Sequence, residues 1–301
     1  MIKDTARAGG ARRRGVAPID RRRLLTLALA GPASMLVAST EVRASRSALR
    51  GATSWAYQLQ GGIGRIASSD ADVVVVHADH HRGAAGRLRS KPGGGRRVVL
   101  AYLSIGEAER WRSYWSSCCA SGQPSWLTGR TQGWSGNFIV HFWEPGWKAI
   151  VRERVRQIMA AGFDGLYLDR IDTWENVKAP GGSRAAMIQL VIEVANQARS
   201  LKGDAAIVVQ NAEELLTSDA YVAAIDGLAK EDLFHGVNHD GRRNPAGMVS
   251  ESLRLLQRLK ARGKTIFVIE YLSGSTADSV RSEIRRAGFV PYFSNRSLTG
   301  G

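Results

Sequence analysis

The 301-residue chain has only two cysteines, and it lacks the short motifs by which several enzyme classes are recognised. Cys118 and Cys119 are adjacent and have no second pair, so they do not form the ligand set of a structural zinc site. Their spacing is compatible both with two free thiols and with a disulfide between neighbours. No G-x-G-x-x-G follows the first predicted strand, which disfavours a dinucleotide-binding fold. No G-x-S-x-G or H-E-x-x-H is present either, which disfavours the common serine hydrolases and zinc peptidases.

Positive charge is the strongest compositional bias of the chain, whose formal net charge is +15 at pH 7. Nine of its 42 Lys and Arg residues lie in the first 43 positions, ahead of the predicted folded domain. The other basic residues are scattered along Arg-rich helices, and no RNP, zinc-finger or helix-turn-helix pattern accompanies them. We therefore predict a solvated basic surface, no nucleic-acid partner and a monomer.

The first 44 residues have the organisation of an export signal. Basic residues precede an apolar run at 24–30, and Val42-Arg43-Ala44 fits a small-residue cleavage site. The segment Asp20-Arg21-Arg22-Arg23-Leu24-Leu25-Thr26 resembles a twin-arginine signal, which directs folded precursors out of the bacterial cytoplasm. The apolar run is short for a spanning helix, so an uncleaved signal is the one predicted route to membrane attachment. We predict a signal over 1–44, a linker over 45–52 and a periplasmic or extracellular protein.

Alternating strands and helices indicate the fold of the remaining chain. Apolar runs of strand length recur at 53–60, 73–79, 98–105, 165–169, 206–211, 227–231, 266–271 and 290–294. Apolar residues at three- and four-residue steps predict helices over 148–161, 185–201, 249–262 and 276–287. This alternation predicts an α/β fold for residues 53–301, and it favours a (β/α)8 TIM barrel rather than an open doubly wound sheet. A long aromatic insertion without clear helices, 109–147, follows the third strand.

Polar and aromatic side chains collect where the predicted strands end. The carboxyl ends of parallel strands share one face of a barrel, so these side chains are expected to surround a single site. Acids crowded there raise one another's pKa, which suits the acid and base of glycoside hydrolysis, while flat aromatic rings suit sugar faces. Asp169 carries the clearest signal because it ends the run Leu166-Tyr167-Leu168. The candidate substrate-binding residues are Trp55, Tyr57, Gln58, Asp79, Tyr102, Glu107, Asp172, Trp174, Gln210, Asn211, Glu270 and Tyr271.

Five segments of the chain together resemble the endo-α-1,4-polygalactosaminidase-like proteins of glycoside-hydrolase family 114 and their barrel relatives. They are Trp55-Ala56-Tyr57-Gln58-Leu59-Gln60, Ala101-Tyr102-Leu103-Ser104-Ile105-Gly106-Glu107-Ala108-Glu109, Gly165-Leu166-Tyr167-Leu168-Asp169-Arg170-Ile171-Asp172, Gln210-Asn211-Ala212-Glu213-Glu214-Leu215 and Lys230-Glu231-Asp232-Leu233-Phe234. The resemblance implies a barrel hydrolase with a catalytic aspartate after strand four and a catalytic glutamate after strand six. These positions match Asp169 and Glu231. Arg170 departs from the family pattern, in which an asparagine follows the aspartate, and this bears on the identity of the sugar.

The resemblance implies a two-carboxylate mechanism that needs no cofactor. In our interpretation Asp169 attacks or stabilises the anomeric carbon while Glu231 protonates the departing oxygen, and the reversed assignment stays open. Glu270 is a second candidate acid. Retention of the anomeric configuration is expected where the carboxyl groups are about 5 Å apart, and inversion where they are about 6.5 Å apart or more.

Two other functions are compatible with parts of the sequence. The run His77-Ala78-Asp79-His80-His81 offers imidazole and carboxylate ligands to a metal-dependent hydrolase or deacetylase. On a strand, however, His80 would face away from His77, Asp79 and His81, so we interpret these histidines as solvated and predict no metal site. The second alternative is a barrel that binds an extracellular polysaccharide without cleaving it.

Overall fold

The computed structural model of the protein describes residues 44–79, 83–119 and 122–299. The predicted export signal up to residue 43 and the two histidines His80 and His81 lie outside these described residues. Within the described ranges, no helix combines the length and the apolar composition that crossing a bilayer requires.

Eight parallel strands form one nearly closed barrel, which confirms the predicted fold. Each of these strands pairs in parallel with the next along the chain. The two outer strands approach each other, and the indole Nε1 of Trp55 donates a hydrogen bond of 3.0 Å to the Val290 carbonyl across the seam. In chain order the barrel strands are β1 (Trp55–Gln58), β2 (Val73–His77), β3 (Val98–Ser104), β7 (Gly165–Asp169), β8 (Ala206–Gln210), β9 (Gly227–Glu231), β10 (Thr265–Glu270) and β11 (Val290–Phe293).

The long helices cover the outer face of the barrel because each presents one apolar stripe to the strands. The four predicted long helices are confirmed, and each begins two or three residues earlier than its apolar pattern indicates. The helices are α1 (Ala44–Arg50), α2 (Gly64–Ser68), α3 (Ala84–Leu88), α4 (Trp115–Cys118), α5 (Pro145–Ala160), α6 (Ser183–Leu201), α7 (Asp219–Ala224), α8 (Ala246–Ala261) and α9 (Gly274–Arg286). Two 3-10 helices, Ile171–Asn176 and Glu213–Thr217, follow β7 and β8.

Successive strand residues divide between two cores because side chains alternate across a strand. One set packs between the strands and the helices, and the other fills the barrel interior. The interior is unusually aromatic: the rings of Tyr57 and Tyr167 lie 5.0 Å apart, and the Trp55 ring lies 5.1 Å from Phe267. Large rings fill the lower barrel, so polar strand ends are confined to its upper rim.

The insertion after β3 forms a small antiparallel sheet that the sequence analysis does not anticipate. Its strands are β4 (Glu107–Glu109), β5 (Leu127–Arg130) and β6 (Asn137–Val140), with β6 in the centre. Three- and four-residue strands are too short to show a period in the sequence. Cys118 and Cys119 form a disulfide, which decides between the two expected thiol states.

The predicted linker 45–52 is an integral part of the domain. Most of it forms α1, which closes the lower end of the barrel and places the side chain of Leu49 in the barrel interior. The Thr265 hydroxyl donates to the Leu49 carbonyl at 3.0 Å, and Arg46 pairs with Asp226 at 2.7 Å. The sequence does not predict this helix, because a short helix with one buried leucine lacks the length that a periodicity argument needs.

Candidate active site

Asp169 is the last residue of β7, and its half-buried carboxylate faces the mouth of the barrel. The Tyr102 hydroxyl on the neighbouring β3 donates to Oδ2 at 2.7 Å, and the Arg170 backbone N–H donates to Oδ1 at 2.7 Å. Burial raises the pKa of Asp169 to about 7, although both hydrogen bonds and the Arg170 guanidinium act in the opposite direction. A carboxyl group with this pKa exchanges its proton near neutral pH, as acid and base catalysis requires.

Glu231 ends β9 on the same edge of the barrel and is held by three side-chain donors. The Gln210 amide donates to Oε2 at 3.0 Å, and the Asn211 amide donates to the same oxygen at 3.5 Å. The Tyr271 hydroxyl donates to Oε1. The Asn211 side chain also accepts a hydrogen bond from the Glu231 backbone N–H at 3.0 Å, so Asn211 holds both the backbone and the side chain of Glu231.

Two tyrosines lie beneath these carboxylates. The Tyr57 hydroxyl donates to the Gln210 side chain at 3.4 Å, and Gln210 in turn reaches Glu231. The Tyr167 hydroxyl is buried between the strands without a hydrogen-bond partner in the described part of the chain. Burial raises the pKa of Tyr167 well above its ordinary value, and the charges of Asp169 and Glu231 raise it further. The buried Tyr167 hydroxyl therefore lies in a region of negative charge inside the barrel.

The backbone beyond these strands adopts an uncommon conformation. Arg170 follows Asp169 at φ 59°, Asp232 follows Glu231 at φ 52°, and Asn211 follows Gln210 at φ 55°. Non-glycine residues in this left-handed region cost free energy and cluster at functional sites, where the surrounding structure holds them. Here the three residues turn the chain sharply directly after the strand, so that Asp169, Gln210 and Glu231 are each the last residue of their strand.

A buried ion pair connects the site to the insertion. The Arg170 guanidinium lies 2.7 Å from Oε1 of Glu107 and 3.6 Å from Oδ2 of Asp172. Glu107 is 1 % exposed and also accepts hydrogen bonds from Thr131 and Asn137. Gly106 permits this approach, because a Cβ at that position would lie 2.0 Å from the Arg170 carbonyl oxygen. Arg170 is thus oriented from two sides at the rim beside Asp169.

The structure brings most of the sequence-predicted site residues together at one rim. Asp169, Glu231, Tyr57, Tyr102, Gln210, Asn211 and Tyr271 form one hydrogen-bonded and stacked group, which Glu107 and Asp172 join through Arg170. These positions agree with the predicted site, whose roles in binding and catalysis stay predictions.

Five predicted residues lie away from this group or serve the packing. The amide of Gln58 donates to the carbonyls of its own loop, and Glu270 accepts the Phe234 backbone N–H at 2.7 Å. Both side chains occupy strand positions of the opposite parity, so they face the helices instead of the barrel mouth. Trp55 fills the barrel core at 3 % exposure, and Trp174 packs against the outer core. Asp79 is engaged by Arg154 at 2.6 Å and by Arg112 at 3.4 Å.

Two arginines of the site were missed as functional residues by the sequence analysis. Arg170 was noted only as a departure from a family pattern, although its position directly after Asp169 was the available signal. Arg296 lies 4.5 Å above the Tyr271 ring and pairs with Asp232 at 3.0 Å. No sequence signal identifies Arg296, because it comes from a C-terminal loop far from either partner along the chain.

The histidine run does not form a ligand cluster within the described residues. His77 lies 2.8 Å from Arg112, whose guanidinium also contacts Asp79. In the ranges 44–79, 83–119 and 122–299, no three His, Cys, Asp or Glu side chains are grouped as metal ligands. His80 and His81 lie outside these ranges, so their part in the metal hypothesis stays a prediction.

Two relatives share most of the length of the chain. The chain is 33% identical over 261 residues to an uncharacterized protein from Deinococcus radiodurans, covering 84% of this chain and 83% of the relative. It is 31% identical over 263 residues to the uncharacterized protein MJ1477 from Methanocaldococcus jannaschii, covering 82% and 73%.

Solved structures share the fold at low sequence identity. The glycoside hydrolase domain of PelA from Pseudomonas aeruginosa superposes with a TM-score of 0.68 at 23% identity, covering 83% of this chain and 98% of that domain. Aspergillus fumigatus Ega3, solved in complex with galactosamine, gives a TM-score of 0.62 at 19% identity, covering 82% and 92%. The model of glycoside-hydrolase family GH114 matches residues 37–301, which confirms the resemblance noted in the sequence. With the barrel, the rim carboxylates and this match in agreement, the chain belongs to glycoside-hydrolase family GH114.

Proposed function

We propose that this glycoside hydrolase cleaves a galactosamine-containing polysaccharide, with Asp169 and Glu231 as its catalytic pair. The proposal rests on the two half-buried carboxylates at the ends of β7 and β9, which lie on one rim and are connected through Tyr102, Tyr57 and Gln210. The two strands flank β8, so their axes lie about 10 Å apart along the sheet, and inward side chains reduce that separation. Structural likeness to Ega3, which was crystallised with galactosamine, supports the choice of sugar.

The chemistry of the rim favours a cationic sugar. Asp169 and Glu231 present acidic groups there, whereas the positive charge of Arg170 is already engaged by Glu107 and Asp172. An ammonium group beside Asp169 would lower its pKa from about 7 and so ionise the acid when substrate binds. A neutral sugar supplies no such charge, so galactosamine units would be preferred over their N-acetylated forms.

In the proposed reaction Asp169 is the nucleophile, and Glu231 acts first as the acid and then as the base. An Asp169 oxygen forms a bond to the anomeric carbon while the bond to the departing oxygen breaks and Glu231 supplies that oxygen with a proton. Water then attacks the same carbon, Glu231 takes the water proton, and the glycosyl bond to Asp169 breaks. Two displacements at one carbon retain its configuration. Tyr102 and the Arg170 backbone N–H hold Asp169 in place, while Tyr271, Gln210 and Asn211 orient Glu231.

A polymer panel tests this function directly. Purified protein is incubated with α-1,4-linked polygalactosamine, its N-acetylated form and a neutral α-glucan, and newly formed reducing ends are measured. We expect release from polygalactosamine that persists after EDTA treatment. Release only after zinc is restored would instead favour the metal-dependent alternative, and folded protein that binds polygalactosamine without cleaving it would favour the binding-protein alternative.

The pH dependence tests the role of Asp169. If this residue is the nucleophile it must be ionised, so kcat/KM rises through about pH 7 and reports the free enzyme. A bound cationic sugar shifts the corresponding rise in kcat to lower pH. A fall in kcat/KM through pH 7 would instead assign the proton donor role to Asp169 and reverse the pair.

We further propose that the chain is exported with its first 44 residues as the signal and acts as a monomer. The Ser45 backbone nitrogen donates to Asp204 at 2.9 Å, so cleavage after Ala44 would place the new terminal ammonium beside this carboxylate. Cell fractionation and N-terminal sequencing test the proposal. Protein that begins at Ser45 and depends on Arg22 and Arg23 for export would support the twin-arginine route.

A further inference from the structure

A second concave surface lies on the insertion, away from the two rim carboxylates. It encloses about 300 Å³ and is lined by Arg110, Trp111, Arg130, Ser135, Gly136 and Phe138. We refer to these six residues as the basic pocket. Its base is Phe138 on the central strand β6, whose ring packs on Trp115 with centroids 4.8 Å apart.

The charge of the basic pocket is not compensated by the protein. Arg110 and Arg130 are both exposed, and neither side chain takes part in an ion pair or a hydrogen bond within the described residues. None of the six lining residues is acidic. Most other arginines around the barrel rim and lower end pair with carboxylates, so two free guanidinium groups facing one concavity form a local positive site.

An exposed indole forms one wall of the basic pocket. Trp111 is 53 % exposed, and its ring rests on Gly136, where a Cβ would lie 2.8 Å from the ring. Gly136 has φ 93°, so both its backbone and the ring above it exclude a larger residue. Trp134, in the same turn, is 60 % exposed. Large apolar rings exposed in this way are costly to leave in water and are typical of binding surfaces.

The basic pocket is distinct from the catalytic rim. Strand pairing places Glu107 beside Ile139 and Ala108 beside Phe138. Successive residues face opposite sides of a sheet, so Glu107 and Phe138 lie on opposite faces. The face of Glu107 contacts Arg170 at the rim, whereas the face of Phe138 carries the basic pocket.

We propose that the basic pocket binds uronate units of an acidic polysaccharide and so holds the enzyme on a polymer that the catalytic rim does not cleave. A guanidinium group matches a carboxylate through paired hydrogen bonds, and an indole face packs against the apolar face of a sugar ring. The site combines both elements within one sugar-sized volume. The two arginines disfavour a cationic sugar in the basic pocket. The basic pocket therefore prefers anionic sugars, whereas the catalytic rim prefers cationic ones.

Polygalacturonate is the probe for this proposal, and every variant is made in the same full chain, so that anion attraction by the basic N-terminal segment is common to all of them. The dissociation constant is measured by tryptophan fluorescence for wild type and for the double variant Arg110→Gln/Arg130→Gln. The matched control is Arg87→Gln/Arg285→Gln, which removes the same charge at two positions away from the pocket. Both arginines are exposed, and neither forms an ion pair with another described residue. Asp169→Asn is included to separate this surface from the catalytic rim.

We expect the pocket double variant to raise the dissociation constant at least tenfold, and the control pair and Asp169→Asn to change it less than about twofold. Trp111→Ala should raise it about fivefold, in protein whose unfolding midpoint matches wild type. Equal weakening in the pocket and control pairs would reduce the binding to general charge attraction and overturn the proposal. So would tight, Arg110-dependent binding of single-stranded DNA accompanied by no binding of polygalacturonate.

Discussion

The two ends of the barrel both carry buried or half-buried acids, but the acids of the lower end pair with cations, whereas Asp169 and Glu231 at the upper end are held mainly by neutral donors. Below the strands, Asp226 is 5 % exposed and accepts hydrogen bonds from Arg46, Arg199 and the Ile207 backbone N–H. Asp164 pairs in the same way with Arg96 and Lys202. Such acids connect the start of one strand to its neighbours and to the helices, so they serve stability.

At the upper end the carboxylates are oriented but left chemically available. Asp169 and Glu231 accept hydrogen bonds mostly from neutral hydroxyl and amide groups, and burial raises the pKa of Asp169 to about 7. At the lower rim the opposite holds for Asp72: burial raises its pKa, but hydrogen bonds from Lys91, Thr53 and Ser54 hold it well below the usual value. Burial outweighs the hydrogen bonds at Asp169, whereas the hydrogen bonds outweigh burial at Asp72, so the balance of the two separates a reactive carboxylate from a structural one.

The largest expected effect comes from removing charge at the upper end. Asp169→Asn and Glu231→Gln should each lower kcat more than about 10³-fold, because each removes a group that acts on the reacting atoms. Each amide keeps one acceptor oxygen, and its NH2 group can donate to the tyrosine hydroxyl, which rotates to accept, so the unfolding midpoint should stay close to wild type. Steady-state kinetics and thermal unfolding check the two parts, and either variant retaining full activity would remove the assignment.

The same substitution at the lower end should have the converse result. Asp226→Asn leaves Arg46 and Arg199 without their shared carboxylate and should lower the free energy of unfolding by about 2 kcal/mol. Its kcat per folded molecule should stay at the wild-type value. The exposed control Asp278→Asn should change stability by less than about 0.5 kcal/mol. A loss of kcat in Asp226→Asn with unchanged stability would contradict the division between the two ends.

Glu270 is an acid at the upper end of the barrel whose side chain faces the helices and not the site. Burial raises its pKa to about 8. The unfolded chain ionises near pH 4.5, whereas the folded chain keeps the proton up to about pH 8, so this group lowers stability as pH rises between those values. Glu270→Gln removes that dependence. The free energy of unfolding of Glu270→Gln and of wild type is measured in urea at several pH values. The two values should be equal below pH 4.5, and the variant should then gain up to about 1.4 kcal/mol per pH unit over wild type towards pH 8.

Tyr102→Phe should produce the smallest effect. The Tyr102 hydroxyl lowers the pKa of Asp169 through its hydrogen bond, so its loss should move the rise in kcat/KM to higher pH while the limiting value falls only about tenfold. Tyr292→Phe is the matched control, since its ring lies in the barrel beside Trp55 and makes no hydrogen bond to Asp169. An unchanged pH profile in Tyr102→Phe would show that this hydroxyl does not tune the acid.

The sequence predicted the strands and the long helices well because their patterns are local. The apolar run before Asp169 and the three- and four-residue steps of α5, α6, α8 and α9 need no knowledge of the rest of the chain. The short strands of the insertion were missed, since three or four residues carry no measurable period. The helix at Ala44–Arg50 was missed for the same reason.

The site was predictable in its outline and not in its details. Strand ends identified Asp169, Glu231 and most of their partners, because parallel strands share one carboxyl edge. The same reasoning could not distinguish Tyr271 from Glu270. Tyr271 contacts Glu231 in the site, whereas the adjacent Glu270 faces the helices on the outer side of the barrel. A shift of one residue in the assigned strand end reverses that choice.

By itself the amino-acid sequence determined the barrel class, the order of its strands and the edge on which chemistry is placed, because periodicity and chain order are local properties. Only the tertiary structure decided which acids are neutralised. The arginines at Asp226, the donors at Glu231 and the unpaired guanidinium groups of the basic pocket each depend on residues that are far apart in sequence. Charge compensation acts over a few ångströms in space, and separation along the chain carries no record of that distance.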